Sequence, residues 1–414
     1  MNFTALHRLL GLAPGPITDE MIDDAVAAGV SEAADLDWKS EMPPIKALPQ
    51  SDFPKDIAAM ANSGGGVIVY GITETQKAAT GRRDVGELTE QLERALRSAA
   101  VTAISPPVFG LDIHQIGTSG NQVVAIVVDA SVDGPHLIYR GEYFGAPIRN
   151  DADTVWMRER QIELMYRARF DERRNSAEAL DALYAEQAAG KETDKRAWLV
   201  AVAHPRLATP LGTRPTKDDA ISMFREARGF AYGYASGAGD HLLEATELFE
   251  PRPGLRRWIV RSAVHGGSIK WPGTRASIHH NGAVTLTSAI GGHKIAKETL
   301  GPDHIDSADL ESAVANFMAL IRAANLGLGT NEYDVQVGIE WSGSTPLVVQ
   351  TVDSTSKSIP NALSLPQYTP VTATIRAGAD NADYHQQVRT LAEDCINQGG
   401  ITELRLIYDA KPGD

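Results

Sequence analysis

Three acidic side chains raise the first chemical possibility. Glu32 and Asp37 stand five residues apart, and Glu74 follows a short apolar run, Val67-Ile68-Val69-Tyr70-Gly71-Ile72. Residues 34–39 alternate polar and apolar. A strand there puts Leu36 and Trp38 on one face and Asp35, Asp37 and Lys39 on the other. If that strand neighbours the apolar one, Glu32, Asp37 and Glu74 meet at one end of a sheet. Converging carboxylates suit Mg²⁺ or Mn²⁺, hard cations that take oxygen ligands. Such an ion activates water and stabilises a phosphoryl transition state, and Lys39 would neutralise the charge that develops. The same acids also read as ordinary exposed carboxylates. The 414-residue chain has 39 Lys+Arg against 53 Asp+Glu, a net charge of −14.

A protein this acidic contacts nucleic acid only through a local basic patch. Candidates for phosphate contact are Lys55, Arg82, Arg83 and Arg149, all at loops or element ends, and Arg158 at the start of a helix. Arginine suits bidentate phosphate recognition. The helix after Arg158 carries Arg160, Arg167, Arg169, Arg173 and Arg174, but also Glu159, Glu163, Asp171 and Glu172. A solvated, salt-bridged face fits that pattern as well as a nucleic-acid stripe does.

Other chemistries find little support. Ser63-Gly64-Gly65-Gly66 follows a helix and precedes a strand, the reverse of a phosphate-binding fingerprint. No Walker A loop is present, so no ATP is expected, and the glycines read as a tight helix-to-strand turn. His279 and His280 are adjacent and would point to opposite faces of a strand. His265 and His293 each adjoin paired glycines without ligand spacing. There is no Gly-x-Ser-x-Gly elbow. The one cysteine, Cys395, rules out an internal disulfide framework and reads as a core thiol on an amphipathic helix. Neither a secretory leader nor an apolar run of membrane-spanning length is evident, so a cytoplasmic, soluble chain is expected.

These residues need elements to position them. Thr18 caps a helix over 19–30, and Ser51 or Asp52 caps one ending at Asn62, with Pro54 in its first turn. The 67–72 run, apolar throughout, predicts a strand central in its sheet. A helix over 86–100, strands near 108–116 and 122–130, and a helix over 157–173 complete a first block, 1–174. A polar, alanine-rich helix plus linker spans 175–195. An α+β region of unassigned role, 196–414, follows. Its strands are predicted near 197–203, 256–264, 274–280, 283–290, 333–341, 346–352, 370–376 and 402–408. Its helices are predicted near 217–228, 308–324 and 381–397.

Taken together, residues 32–74 resemble the Schlafen AlbA-type domain family. The shared pattern is Glu32, then Asp37-Trp38-Lys39 in a strand, then a helix from Phe53 to Ala61-Asn62-Ser63-Gly64-Gly65. A strand running into Gly71-Ile72 completes it. Gly134-Pro135-His136, Ala146-Pro147-Ile148-Arg149 and the helix at 158–170 extend the resemblance over about 17–174. It implies a mixed-sheet α+β domain that binds nucleic acid. Some members are metal-dependent endoribonucleases acting on structured RNA such as tRNA, and their three catalytic acids correspond to Glu32, Asp37 and Glu74. Asp37 stands where the family has Glu, and Glu74 where the nucleases have Asp, so each reach changes by one methylene. Family members often pair with two-fold or pseudo-two-fold symmetry, which for one copy per chain implies a homodimer. Two functions follow as expectations. One is a divalent-metal-dependent endoribonuclease. The other is a non-catalytic DNA- or RNA-binding regulator or interaction module within a larger assembly.

Overall fold

The computed structural model describes residues 3–109, 111–141, 143–207, 214–235, 241–262, 271–295, 298–352 and 362–408. His265 lies outside them. The chain divides into two compact units, Met1–Arg173 and Arg174–Asp414, and both are α+β.

In the first unit a four-stranded mixed sheet runs in the order Leu36–Lys39, Gly66–Tyr70, Val123–Val128, Leu111–Ile116. The first two strands are parallel, with Asp37 opposite Ile68 and Lys39 opposite Tyr70. The other pairings are antiparallel. Every residue from Val67 to Tyr70 is buried because both faces are covered. Val67, Val69, Leu36 and Trp38 pack with Met21, Ile22 and Ala25 of the helix Asp19–Ala27. Ile68 and Tyr70 pack on the opposite side with Phe53, Ile57 and Met60 of the helix Phe53–Asn62. The period-two reading of residues 34–39 therefore holds, and the 67–72 strand is interior to the sheet as expected.

Several smaller elements of this unit are not evident in the sequence pattern. A hairpin pairs Ile72–Thr75 with Ala78–Arg82. Strands Leu137–Arg140 and Tyr143–Gly145 form a second, and Pro147–Asn150 and Asp153–Trp156 a third. The helices predicted at 157–173 and within 175–195 are one helix, Glu159–Ala188, and the boundary between units falls inside it. No Gly or Pro interrupts this stretch, so the chain has no reason to break where polarity rises.

The second unit is built on a seven-stranded antiparallel sheet. Its order is Arg252–Gly254, Arg257–Arg261, Arg275–His279, Val284–Ala289, Trp198–Pro205, Glu332–Glu340, Val371–Arg376. The helices Lys217–Tyr234, Ser307–Leu328 and Asn381–Asn397 contribute to its main core, where Cys395 is buried. Residues 402–408, predicted as a strand, carry no regular structure. Their backbone is tethered differently, with Arg405 N–H and Leu406 N–H donating to Glu311 Oε2 at 2.8 and 2.7 Å. His293 is buried, with Nδ1 2.7 Å from Asp309 Oδ2 and Nε2 3.0 Å from the Ala289 carbonyl oxygen. Among the described residues no helix is long and apolar enough to cross a membrane.

Candidate functional site

Glu32 sits in the loop before the Asp37 strand, and the first hairpin holds that loop. Glu32 N–H donates to the Lys77 carbonyl oxygen (2.8 Å), and Ala79 N–H to that of Val30 (3.0 Å). The side chain turns back, so that Trp38 N–H donates to Glu32 Oε1 at 3.1 Å. Partial burial, with repulsion from the carboxylates of Asp37 and Glu74, outweighs this bond and the nearby Lys39 ammonium. It lifts the Glu32 carboxyl from 4.5 to about 7. Glu74 lies at an irregularity of the same hairpin and is exposed. Of the three acids expected to converge, Glu32 is thus within electrostatic range of each of the other two.

Asp37 has a different set of neighbours. Its strand position carries the side chain inward, where Lys39 Nζ lies 2.5 Å from Oδ2 and Arg149 Nη1 lies 3.1 Å from Oδ1. The Arg149 guanidinium also donates to Thr154 Oγ1 and to the Ala33 carbonyl oxygen, each at 3.2 Å. Lys39 reaches Asp56 as well (3.5 Å), and Lys55 is 3.9 Å from that carboxylate. Burial opposes the charge on Lys39, but Asp56 and Asp37 together overcome it and hold the ammonium above its ordinary value. Burial raises the Asp56 carboxyl despite the pull of Lys39. Asp56 is a residue the sequence reading missed. Its one signal is an acid on the helix face that also carries Phe53 and Met60.

This geometry bears on a metal. Asp37 is committed to two cations. Among the described residues no three His, Cys, Asp or Glu side chains gather as a group able to hold a metal ion. As arranged, the donor set does not fit Mg²⁺ or Mn²⁺. What the site offers instead is a partly buried carboxyl that changes charge near neutrality, next to an ammonium that does not.

The basic candidates separate by burial. The Arg82 side chain is 7% exposed, and its guanidinium is spent on Asp19 and Asp23 (2.7 Å each) and the Asn121 carbonyl oxygen (2.8 Å). Arg149 is internal as described. Lys55 pairs with Asp52 at 2.9 Å and Arg83 with Glu41 at 2.5 Å, both nearer the surface. Arg158 is exposed at the start of the long helix. The structure therefore leaves Lys55, Arg83 and Arg158 able to meet a polyanion and removes Arg82 and Arg149 from that role.

The Asn62-Ser-Gly-Gly-Gly segment is structural. Asn62 Nδ2 donates to the carbonyl oxygens of His136 (3.0 Å) and Pro147 (2.8 Å), and its Oδ1 accepts from His136 N–H (2.7 Å). Ser63 Oγ accepts from Arg149 N–H at 2.8 Å. Gly65 has φ +90°, and a Cβ there would lie 2.7 Å from the Val128 carbonyl oxygen. The glycine serves close backbone approach, as the tight-turn reading requires.

Beside the Asn62 clamp the second hairpin exposes aromatic rings. Tyr143 is 79% exposed, and Tyr139 and Phe144 are also exposed with centroids 5.9 Å apart. A cavity of ≈ 380 Å³ adjoins Tyr139, which lines it together with Gln50, Ser51 and Lys55. No aromatic interleaving of the basic residues in the sequence points to this cluster.

Residues 32–158 match the family model described as Schlafen, AlbA_2. No curated protein matches the chain. Among solved structures, the N-terminal domain of a RecG-related protein from Nitrosomonas europaea aligns at 17% identity, covering 33% of this chain and 89% of that one, with a TM-score of 0.26. The DIP2311 protein from Corynebacterium diphtheriae aligns at 16% identity, covering 51% of this chain and 34% of that one, with a TM-score of 0.24.

Proposed function

With residues 32–158 a Schlafen AlbA_2 domain, we propose that this chain is a cytoplasmic nucleic-acid-binding protein whose first unit engages unpaired bases, RNA ahead of duplex DNA. The family match carries the nucleic-acid part of this reading. The exposed rings of Tyr139, Tyr143 and Phe144 beside the Lys55 cavity support the single-stranded part. Aromatic faces stack bases of any identity, and a neighbouring ammonium meets the backbone. Binding of a 20-nucleotide RNA, the same DNA sequence, tRNA and duplex DNA to the full chain, followed by fluorescence anisotropy at 50 and 200 mM salt, tests it. Salt-sensitive binding that favours single strands is expected. Absence of binding to all four at 50 mM salt overturns it. On this reading two copies pair, which light scattering of the purified chain checks.

One observation favours a second reading, divalent-metal-dependent cleavage of structured RNA such as tRNA. Glu32 titrates near neutrality within range of Asp37, Glu74 and Lys39. The present donor set does not fit the ion, so no step is assigned to it. Incubation with tRNA and Mn²⁺, with and without EDTA, separates the readings. EDTA-sensitive cleavage that Glu32→Gln and Glu74→Gln both abolish replaces binding alone with an endonuclease.

A further inference from the structure

In the second unit, Arg261 and Arg275 are direct cross-strand partners, and Arg275 is in turn opposite Thr287. Register partners in antiparallel strands share a face, and like charges placed so repel. A third cation joins them, with Lys191 Nζ donating to Thr287 Oγ1 at 3.2 Å and lying 4.8 Å from the centroid of the Trp198 ring. Among the described residues no ion pair links Lys191, Arg261 or Arg275 to a carboxylate. Arg257, on the same face, does have one, Glu186 at 2.8 Å. Three cations with no carboxylate partner among the described residues, two on one cross-strand row and one from the segment after the helix Glu159–Ala188, are unexpected in a chain of net charge −14. Burial and Arg275 both press the Lys191 ammonium toward its neutral form. An anion arriving between them would relieve both effects.

We infer that Lys191, Arg261, Arg275 and the buried Thr287 hydroxyl form a phosphate-binding site on the sheet face where Leu180 and Tyr184 pack against Val200 and Val202, with the two arginines exposed. The two guanidinium groups offer planar forks to phosphate oxygens, the ammonium supplies a point charge, and the hydroxyl supplies a further hydrogen bond. The ligand is a phosphate group, either free or in a nucleic-acid backbone. This site goes beyond the first-unit reading and stands independently of it.

Calorimetric titration of the full chain with inorganic pyrophosphate, and anisotropy with a 20-nucleotide oligothymidylate, test the assignment. Wild type is expected to bind pyrophosphate, and Arg261→Ala/Arg275→Ala to bind it at least tenfold more weakly. Lys191→Gln, which keeps a hydrogen-bonding side chain against Thr287, should weaken it as well. If the backbone is the source, the double variant also lowers the slope of log K against log salt for the oligonucleotide by about 1.4, two single-strand phosphate contacts. If only pyrophosphate binding falls, the source is a free phosphate compound. Pyrophosphate binding lost in the variant, in a chain that binds no nucleic acid, keeps this site and removes the first-unit reading. No pyrophosphate binding by wild type, together with an unchanged oligonucleotide slope, overturns the assignment.

Discussion

Arg149 and Asp37, 112 residues apart in the chain, form an ion pair in which each side chain is only 3% exposed. The pair ties the strand Pro147–Asn150 to the strand Leu36–Lys39. Removing one member of a buried pair strands the other charge. Arg149→Ala is therefore expected to destabilise the first unit by about 3–5 kcal/mol in chemical denaturation. Arg149→Lys should not restore it, because an ammonium cannot reach Asp37, Thr154 and Ala33 together. A loss of stability below about 1 kcal/mol would show the pair to be dispensable.

The raised Glu32 carboxyl gives a pH signature with a definite sign. The folded state holds the proton more tightly than the unfolded chain. The corresponding stability is complete below about 4.5 and is lost as pH rises through about 7. Glu32→Gln keeps an acceptor for Trp38 N–H and removes the charge. It should match wild type in Tm near pH 4.5 and exceed it at pH 8. Equal Tm values at both pH values would argue against the shift.

Gly65→Ala places a Cβ against the backbone of Val128 and Ala130 at φ +90°, a region L side chains seldom enter. Neither contact is a flexible side-chain end, so the strain is not relieved locally. A destabilisation of at least about 1–3 kcal/mol is expected in denaturant titration.

Tyr143→Ala tests the stacking surface. It should reduce affinity for a single-stranded oligonucleotide by roughly 5- to 150-fold, about 1–3 kcal/mol per base lost. The ring is exposed, so stability should move by no more than about 0.5 kcal/mol. Unchanged affinity would point the hairpin toward another partner.

Legibility divided along physical lines. Alternation placed Leu36 and Trp38 on the face opposite Asp37, and the unbroken apolar run identified the central strand, because local pattern reports burial directly. The hairpin carrying Glu74 left no trace. It turns through Gln76 and Lys77 at φ 51° and 65°, where turn chemistry favours Gly or Asn. Arg82, Arg149 and Arg158 look alike as letters. Only the fold brings Asp19 and Asp23 to the first and Asp37 to the second, and leaves the third in solvent. Asp37 illustrates the same limit, since its cations come from a neighbouring strand position and from a segment far down the chain.

The Asn62 amide grips the main chain at both His136 and Pro147, so the aromatic hairpin is suspended between two anchors on one side chain. Its roots are already immobilised before any ligand arrives. Whatever rests on Tyr139, Tyr143 and Phe144 then meets rings carried on strands whose outer ends are already fixed, which lowers the entropic penalty of association.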